Sequence, residues 1–164
     1  KESISCLVLS LCSKSLEIIK DNNLILCLMH MQNTPETMQD NPTYDDVLLD
    51  VYDFLMSRVE LCLQAGIDLS KISIDPGIGF GKKVQDNFEI IRELKQIKAM
   101  GYPILLGPSR KSFIGQVLDL PVEDRLEGTM ASISAGILNG ANIVRVHDII
   151  ETKRTLSVIE KIIG

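Results

Sequence analysis

The segment "KISIDPGIGFGK", residues 71–82, sets the terms on which the rest of the chain is read. Ile72 and Ile74 suit a buried strand, which then meets Asp75, Pro76, glycines at 77, 79 and 81, and Lys82. Such an exit has two readings. Gly and Pro punctuate ordinary turns, and Asp-Pro-Gly is common turn chemistry. Alternatively Asp75 is aimed at a ligand, Pro76 holds it extended, and the glycines let the main chain come close.

Three further apolar runs resemble the one before Asp75: "LILCLMHM" at 24–31, "PILLG" at 103–107 and "NIVRVHD" at 142–148. None alternates strictly, so each is expected to be buried on both faces, as parallel strands are. Helical stripes lie between them. Val47, Leu48, Val51, Phe54, Leu55, Val59 and Cys62 recur with a helical period, opened by Asp45 and Asp46 and closed by Gly66. A second stripe runs Phe88, Ile91, Leu94 and Ile97 to Gly101, and a last one uses Leu156, Ile159, Ile162 and Ile163. The small residues of "GTMASISAGILNGAN" predict a helix packed very close to a sheet, and a short helix around Ser15–Lys20 precedes the first strand. The expected order is a helix followed by four strand–helix units, hence a parallel α/β sheet with right-handed crossovers. A doubly wound sheet would be complete at this length, whereas a (β/α)8 barrel takes roughly 250 residues, so four units would be its half.

Composition narrows the function classes. The 164 residues are 45% hydrophobic and 24% charged, enough for one domain with a core. A net charge of −5 and the absence of Trp argue against a nucleic-acid surface. No apolar run approaches the length of a membrane span. Cys6, Cys12, Cys27 and Cys62 have no CxxC spacing and read as small thiols in a reducing cytoplasm. The opening "KESISCLVLSLCSKS" places a charge before an apolar stretch, but it has no strong basic region and no A-x-A site, so it reads as the interior of a longer sequence.

The reactive side chains cluster where strands finish. Met29–His30–Met31, Asp75 with its glycine loop, "GPSRKS" and Arg145–Val146–His147–Asp148 each follow one apolar run. In a parallel sheet those ends share the face where ligands bind. Lys82, Arg110, Lys111, Arg145 and His147 would then form a basic cluster within an acidic protein, suited to a phosphate or carboxylate. Arg145 and His147, two apart, point to one side of a strand. Ser112 opens "SFIGQVL", a helix start where a hydroxyl and free N–H groups meet an oxyanion. Asp75 could accept two parallel bonds from a 2-amino-4-oxo heterocycle, with Lys111 reaching between that ring and the anion. The plainer alternatives are Arg110 and Lys111 as a solvated pair, His147–Asp148 as a structural pair, and His30 as a packed strand-end histidine. With two histidines and no thiolate cluster, no protein-built metal site is expected.

Taken together, "LMHMQNTPETMQ", "DPGIGFGK", "GPSRKSFIG" and "RVHD" resemble the motifs of the dihydropteroate synthase family, in its order and spacing, from about Leu24 onward. The resemblance implies the C-terminal half of a TIM barrel, with residues 1–164 as a single pterin-binding domain lacking the first four strands. It implies joining of a dihydropterin diphosphate to p-aminobenzoate with release of diphosphate, at a site where sulfonamides compete. Asp75, Met29, Gly107, Lys111 and Arg145 would line the pterin pocket. Gly79, Phe80, Ser109, Arg110 and Ser112 would meet p-aminobenzoate, and Arg145 and His147 the diphosphate. Lys111, Arg145 and His147 would carry the catalytic charge, with Mg2+ held mainly through the diphosphate.

The family's Asn-Asp pair at its fourth strand has only Glu2 and Ser3 of "KESIS" opposite it. A half barrel exposes two sheet edges, so the resemblance also implies a homo-oligomer or a companion N-terminal half. The alternatives left open are a pterin-dependent methyltransferase domain and a non-catalytic pterin- or anion-binding fragment.

Overall fold

A computed structural model describes residues 4–7 and 13–164, with the backbone alone for 4–7 and for Ser13. Glu2, Ser3, Cys12 and the side chain of Cys6 lie outside the described residues. The strands are β1 (Ile4–Leu7), β2 (Ile25–Met29), β3 (Ile72–Asp75), β4 (Leu105–Leu106) and β5 (Ile143–Val144). The helices are α1 (Ser13–Asp21), α2 (Val47–Gln64), α3 (Val84–Arg92), α4 (Leu94–Lys98), α5 (Ser112–Leu118), α6 (Leu126–Leu138) and α7 (Ile149–Ile163).

The strands are parallel and each lies beside the next in sequence. β1 pairs with β2 and β2 with β3; a single bridge, Ile74 to Ile104, leads on to the pair β4–β5. Register does the positioning. Met29 stands opposite Asp75, and the His30 N–H donates to the Asp75 carbonyl at 3.0 Å. Leu106 stands opposite Val144, and the Arg145 N–H donates to the Leu106 carbonyl at 3.0 Å. Every strand end therefore opens on one face.

The core forms where the apolar runs predict it. Leu26, Leu28, Ile72, Ile74, Ile104 and Leu106 are buried beneath Val51, Leu55 and Val59 of α2 and Ile90, Leu94 and Ile97 of α3–α4. Asp46 caps α2 by accepting from the N–H groups of Leu48 and Leu49, both at 3.0 Å. Removing such a cap typically costs about 1 kcal/mol. The small residues of α6 serve close packing as expected. A Cβ on Gly136 would sit 2.2 Å from Leu106, and one on Gly128 would sit 2.3 Å from Ile114.

Four expectations change. The described residues hold five strands, not four, because Ile4–Leu7 runs into further apolar sequence and carries no boundary of its own. β5 is half-buried, since β4 is the one strand paired with it among the described residues. The stripe from Phe88 to Ile97 is broken at Glu93, whose φ of −100° and ψ of 18° separate α3 from α4. On α7, Ile159 is buried as expected while Ile162 and Ile163 stand exposed.

Candidate active site

Asp75 ends β3 with its side chain only 6% exposed. Its Oδ1 accepts from the Gly77 N–H at 2.8 Å, so it does close a turn. Burial pushes its carboxyl up, opposed by that N–H and by Lys111, Lys82 and Arg145. Asp75 and Arg145, far apart in sequence, thus act on one another across the strand ends. The two readings of the opening segment are compatible: one oxygen serves the turn, and the carboxylate lies in the field of three cations.

The glycine loop is packed closely by its neighbours. Gly77, Gly79 and Gly81 have φ of +71°, +78° and +63°. A Cβ on Gly77 would lie 1.8 Å from the His30 carbonyl oxygen, and one on Gly79 would lie 2.8 Å from Lys111 Cδ. Loop carbonyls are taken up by side chains: Gly79 by Gln39 at 2.8 Å, Gly81 by the Tyr44 hydroxyl at 2.5 Å and Ile78 by Lys111 Nζ. The Gly79 N–H donates to Asn87 Oδ1 at 2.6 Å. Lys111 Nζ also sits 4.2 Å from the centre of the Phe80 ring, a cation–π contact. Burial lowers the Lys111 ammonium to about 8, with Asp75 opposing the shift and Arg145 adding to it.

β4 and β5 extend side by side past their last paired residues. Gly107 faces Arg145, where an added Cβ would be 3.7 Å from the arginine Cβ. Ser109 Oγ lies 2.9 Å from His147 Nδ1 and accepts from the His147 N–H at 3.2 Å. Together the two bonds fix the orientation of the imidazole ring against Ser109. Arg145 and His147 are both exposed, and neither joins an ion pair among the described residues. Ser112 stands exposed as the first residue of α5, beside a cavity of about 360 Å3 whose lining includes Gln39, Lys82, Lys83, Asn87, Ser112 and Gln116.

The structure brings together Met29, Asp75, Gly79, Phe80, Gly107, Lys111, Arg145 and the Ser109–His147 pair. It turns Arg110 elsewhere. Arg110 Nε and Nη2 bind both Asp148 carboxylate oxygens at 2.8 Å, and Nη1 donates to the Val122 and Glu123 carbonyls. Asp148 therefore pairs with Arg110, and the expected structural pairing of His147 with Asp148 gives way to Ser109–His147 and Arg110–Asp148. Lys82 also points inward: it is 5% exposed and bonds His30 Nδ1 at 2.8 Å. His30 is packed, as the plain reading expects, with its ring edge-on to Phe54 at 4.9 Å.

Sequence reasoning overlooked Gln39, Tyr44 and Asn87 as supports of the loop. Asn87 left a signal, because it sits 1% exposed in register with Ile90 on an apolar helix face, where a polar residue needs a partner. Among the described residues no three His, Cys, Asp or Glu side chains converge to hold a metal ion.

Comparison with known proteins gives the chain's family. Residues 7–147 match the family model described as pterin binding enzyme. The chain is 41% identical over 146 residues to dihydropteroate synthase of Escherichia coli (strain K12), covering 89% of this chain and 52% of that protein. It is 47% identical over 135 residues to the Haemophilus influenzae enzyme, covering 82% and 49%. Among solved structures it resembles Yersinia pestis dihydropteroate synthase in complex with a sulfonamide drug, with a TM-score of 0.87, 39% identity and coverage of 90% and 54%. It also resembles the Thermus thermophilus enzyme in complex with 6HMPPP, with a TM-score of 0.92, 30% identity and coverage of 98% and 64%. The chain spans about half the length of the curated relatives it matches. With a family match across nearly the whole chain and a buried acid facing cations at the strand ends, this protein belongs to the pterin-binding enzyme family.

Proposed function

We propose that the chain carries the strand-end side of a dihydropteroate synthase active site. The observation that supports this best is Asp75: a buried carboxylate at the end of β3 that interacts with Lys111 and with Arg145 of the β5 extension. A carboxylate so placed can accept two bonds from the amino-pyrimidine edge of a pterin, with Met29 and Gly107 beside the ring. Arg145 and the imidazole of His147 would receive the diphosphate. The arylamine ring would lie by Phe80, Gly79 and Lys111, with its carboxylate toward Ser112; Ser109 acts there by orienting His147.

In the reaction the bond between the pterin methylene carbon and the diphosphate oxygen breaks, and its electron pair leaves with the diphosphate. The cation left on the methylene is delocalised into the pterin. The arylamine nitrogen attacks it, forms the new C–N bond and gives up a proton. Fixed positive groups aimed at the departing anion lower the barrier without a covalent enzyme intermediate. The described residues do not fit a protein-built magnesium site. Magnesium would arrive with the diphosphate.

The consecutive order β1 to β5 supports a run of successive units from a (β/α)8 barrel, since a doubly wound sheet reverses its order partway. Other strands would close such a barrel, supplied by a companion segment or met by self-association. The buried thiol of Cys62 suits a reducing, cytoplasmic setting. The test is an assay of dihydropteroate formation from dihydropterin diphosphate and p-aminobenzoate, run with and without an N-terminal half from a relative. Turnover in the paired sample supports the reading. Pterin binding without turnover in both samples would reduce the chain to a binding fragment, and no binding in either would remove the assignment.

A further inference from the structure

We propose that Lys82 is a positioning residue of this site, holding from its buried side the glycine loop that turns on Asp75, so that Lys111 is free to serve the ligand. This rests on the pterin-site reading but concerns a residue whose ammonium is bonded within the chain. Lys82 Nζ donates to His30 Nδ1 at 2.8 Å, to the Gly77 carbonyl at 3.0 Å and to the Phe80 carbonyl at 3.2 Å. An ammonium has three protons, and all three have acceptors here. None is left for a substrate.

The loop is gripped by two lysines from opposite sides. Lys111 holds the Ile78 carbonyl and lies over the Phe80 ring, within the space proposed for the ligand. Lys82 holds the carbonyls on either side of Ile78, at Gly77 and Phe80, from the buried side. Once Lys111 turns to a ligand it gives up a loop carbonyl, and Lys82 keeps the loop in shape.

Charge adds a second role. Lys82 faces His30 from β2, Asp75 from β3, Asp86 from α3 and Lys111 from the start of α5; Asp75 in turn faces Lys111, Lys82 and Arg145. His30 can only accept from an ammonium at Nδ1, so its ring stays neutral; burial, reinforced by Lys82, lowers it to about 3. Burial brings Lys82 down to about 7, with Asp75 resisting. Of the three cations near Asp75, Lys82 is the one whose N–H groups are all bonded within the chain, so it keeps its place when Lys111 and Arg145 engage an anion.

The test follows the carboxyl carbon of Asp75 by NMR titration in the ligand-free full chain. Lys82→Met is expected to raise proton affinity at Asp75 about tenfold or more, the scale of losing a nearby opposite charge. Lys82→Arg, which keeps the charge, is expected to restore most of that shift while speeding amide exchange in residues 77–81. An unchanged Asp75 midpoint in folded Lys82→Met overturns the proposal.

Should Lys82→Met not fold, the reciprocal variant Asp75→Asn decides instead. The side-chain carbon of Lys82 should then titrate at a lower pH than in the parent chain, and an unmoved midpoint is the overturning result. A binding titration with 6-hydroxymethylpterin completes the set. Failure of the parent chain to bind it counts against the proposed function, while the ligand-free titrations still settle the role of Lys82.

Discussion

Gly77 and Asp75 constrain one another across a single turn, and each carries its own expected outcome. A methyl group at Gly77 meets a main-chain oxygen of β2 at 1.8 Å, which no side-chain rotation can relieve. Gly77→Ala should therefore cost ~3 kcal/mol or more in urea unfolding, combining a left-handed backbone with a clash. Gly101 provides the internal control. Its φ is +84° and nothing lies within 4 Å of an added Cβ, so Gly101→Ala should cost only ~1 kcal/mol. For Asp75 the readout is affinity. Asp75→Asn should weaken pterin binding by about 1.5–3 kcal/mol in calorimetry, the scale of a charged hydrogen bond. An unaltered affinity would take Asp75 out of the pocket.

The loops after β4 and β5 are joined by adjacent cross-links, Ser109 to His147 and Arg110 to Asp148. Arg110 adopts a left-handed φ of 54°, and its N–H donates to the buried Thr129 hydroxyl of α6 at 2.9 Å. The bend lets neighbouring residues diverge: Arg110 turns to the start of α7, and Lys111 turns to the glycine loop. The Arg110 bonds hold the Asp148 carboxyl below its ordinary range. Unfolded, Asp148 titrates near ~3.9, so the folded chain keeps this charge to lower pH than the unfolded chain does. The stabilisation is whole above that pH and is lost as pH falls through the folded value. Asp148→Asn should flatten the acid limb of stability between about pH 5 and pH 2, followed by urea denaturation at each pH. An acid limb identical to the parent's would mean the pair contributes nothing to folding.

Considered as one body, the molecule leaves apolar surface uncovered. Ile149, Ile150, Val158, Ile162 and Ile163 of α7 are 57–72% exposed, and Val117 and Leu118 of α5 are 59% and 42% exposed. β5 is half-buried beside a sheet that the described strands do not close. Large exposed apolar areas and unpaired strand edges favour association. Light scattering should give a mass at least twice that of the 18.2 kDa chain, or a monomer only when an N-terminal companion is present. A stable, monodisperse monomer alone would contradict this.

Much of the site was legible before any coordinates, because strand ends in a parallel sheet must share a face and because Asp75, Lys111, Arg145 and His147 each follow an apolar run. Local pattern also predicted α2, opened by Asp45 and Asp46, and the close packing of α6. Direction was not legible. Lys82 and Arg110 sit in the same motifs as Asp75 and Lys111, yet one is buried under the loop and the other is tied to Asp148. A long cationic side chain can turn to either side of its backbone, and which side wins depends on acceptors supplied by distant residues: His30 for Lys82, Asp148 for Arg110. Sequence periodicity records which positions face a core, whereas the choice among partners is made only when separate strands and loops come together in space.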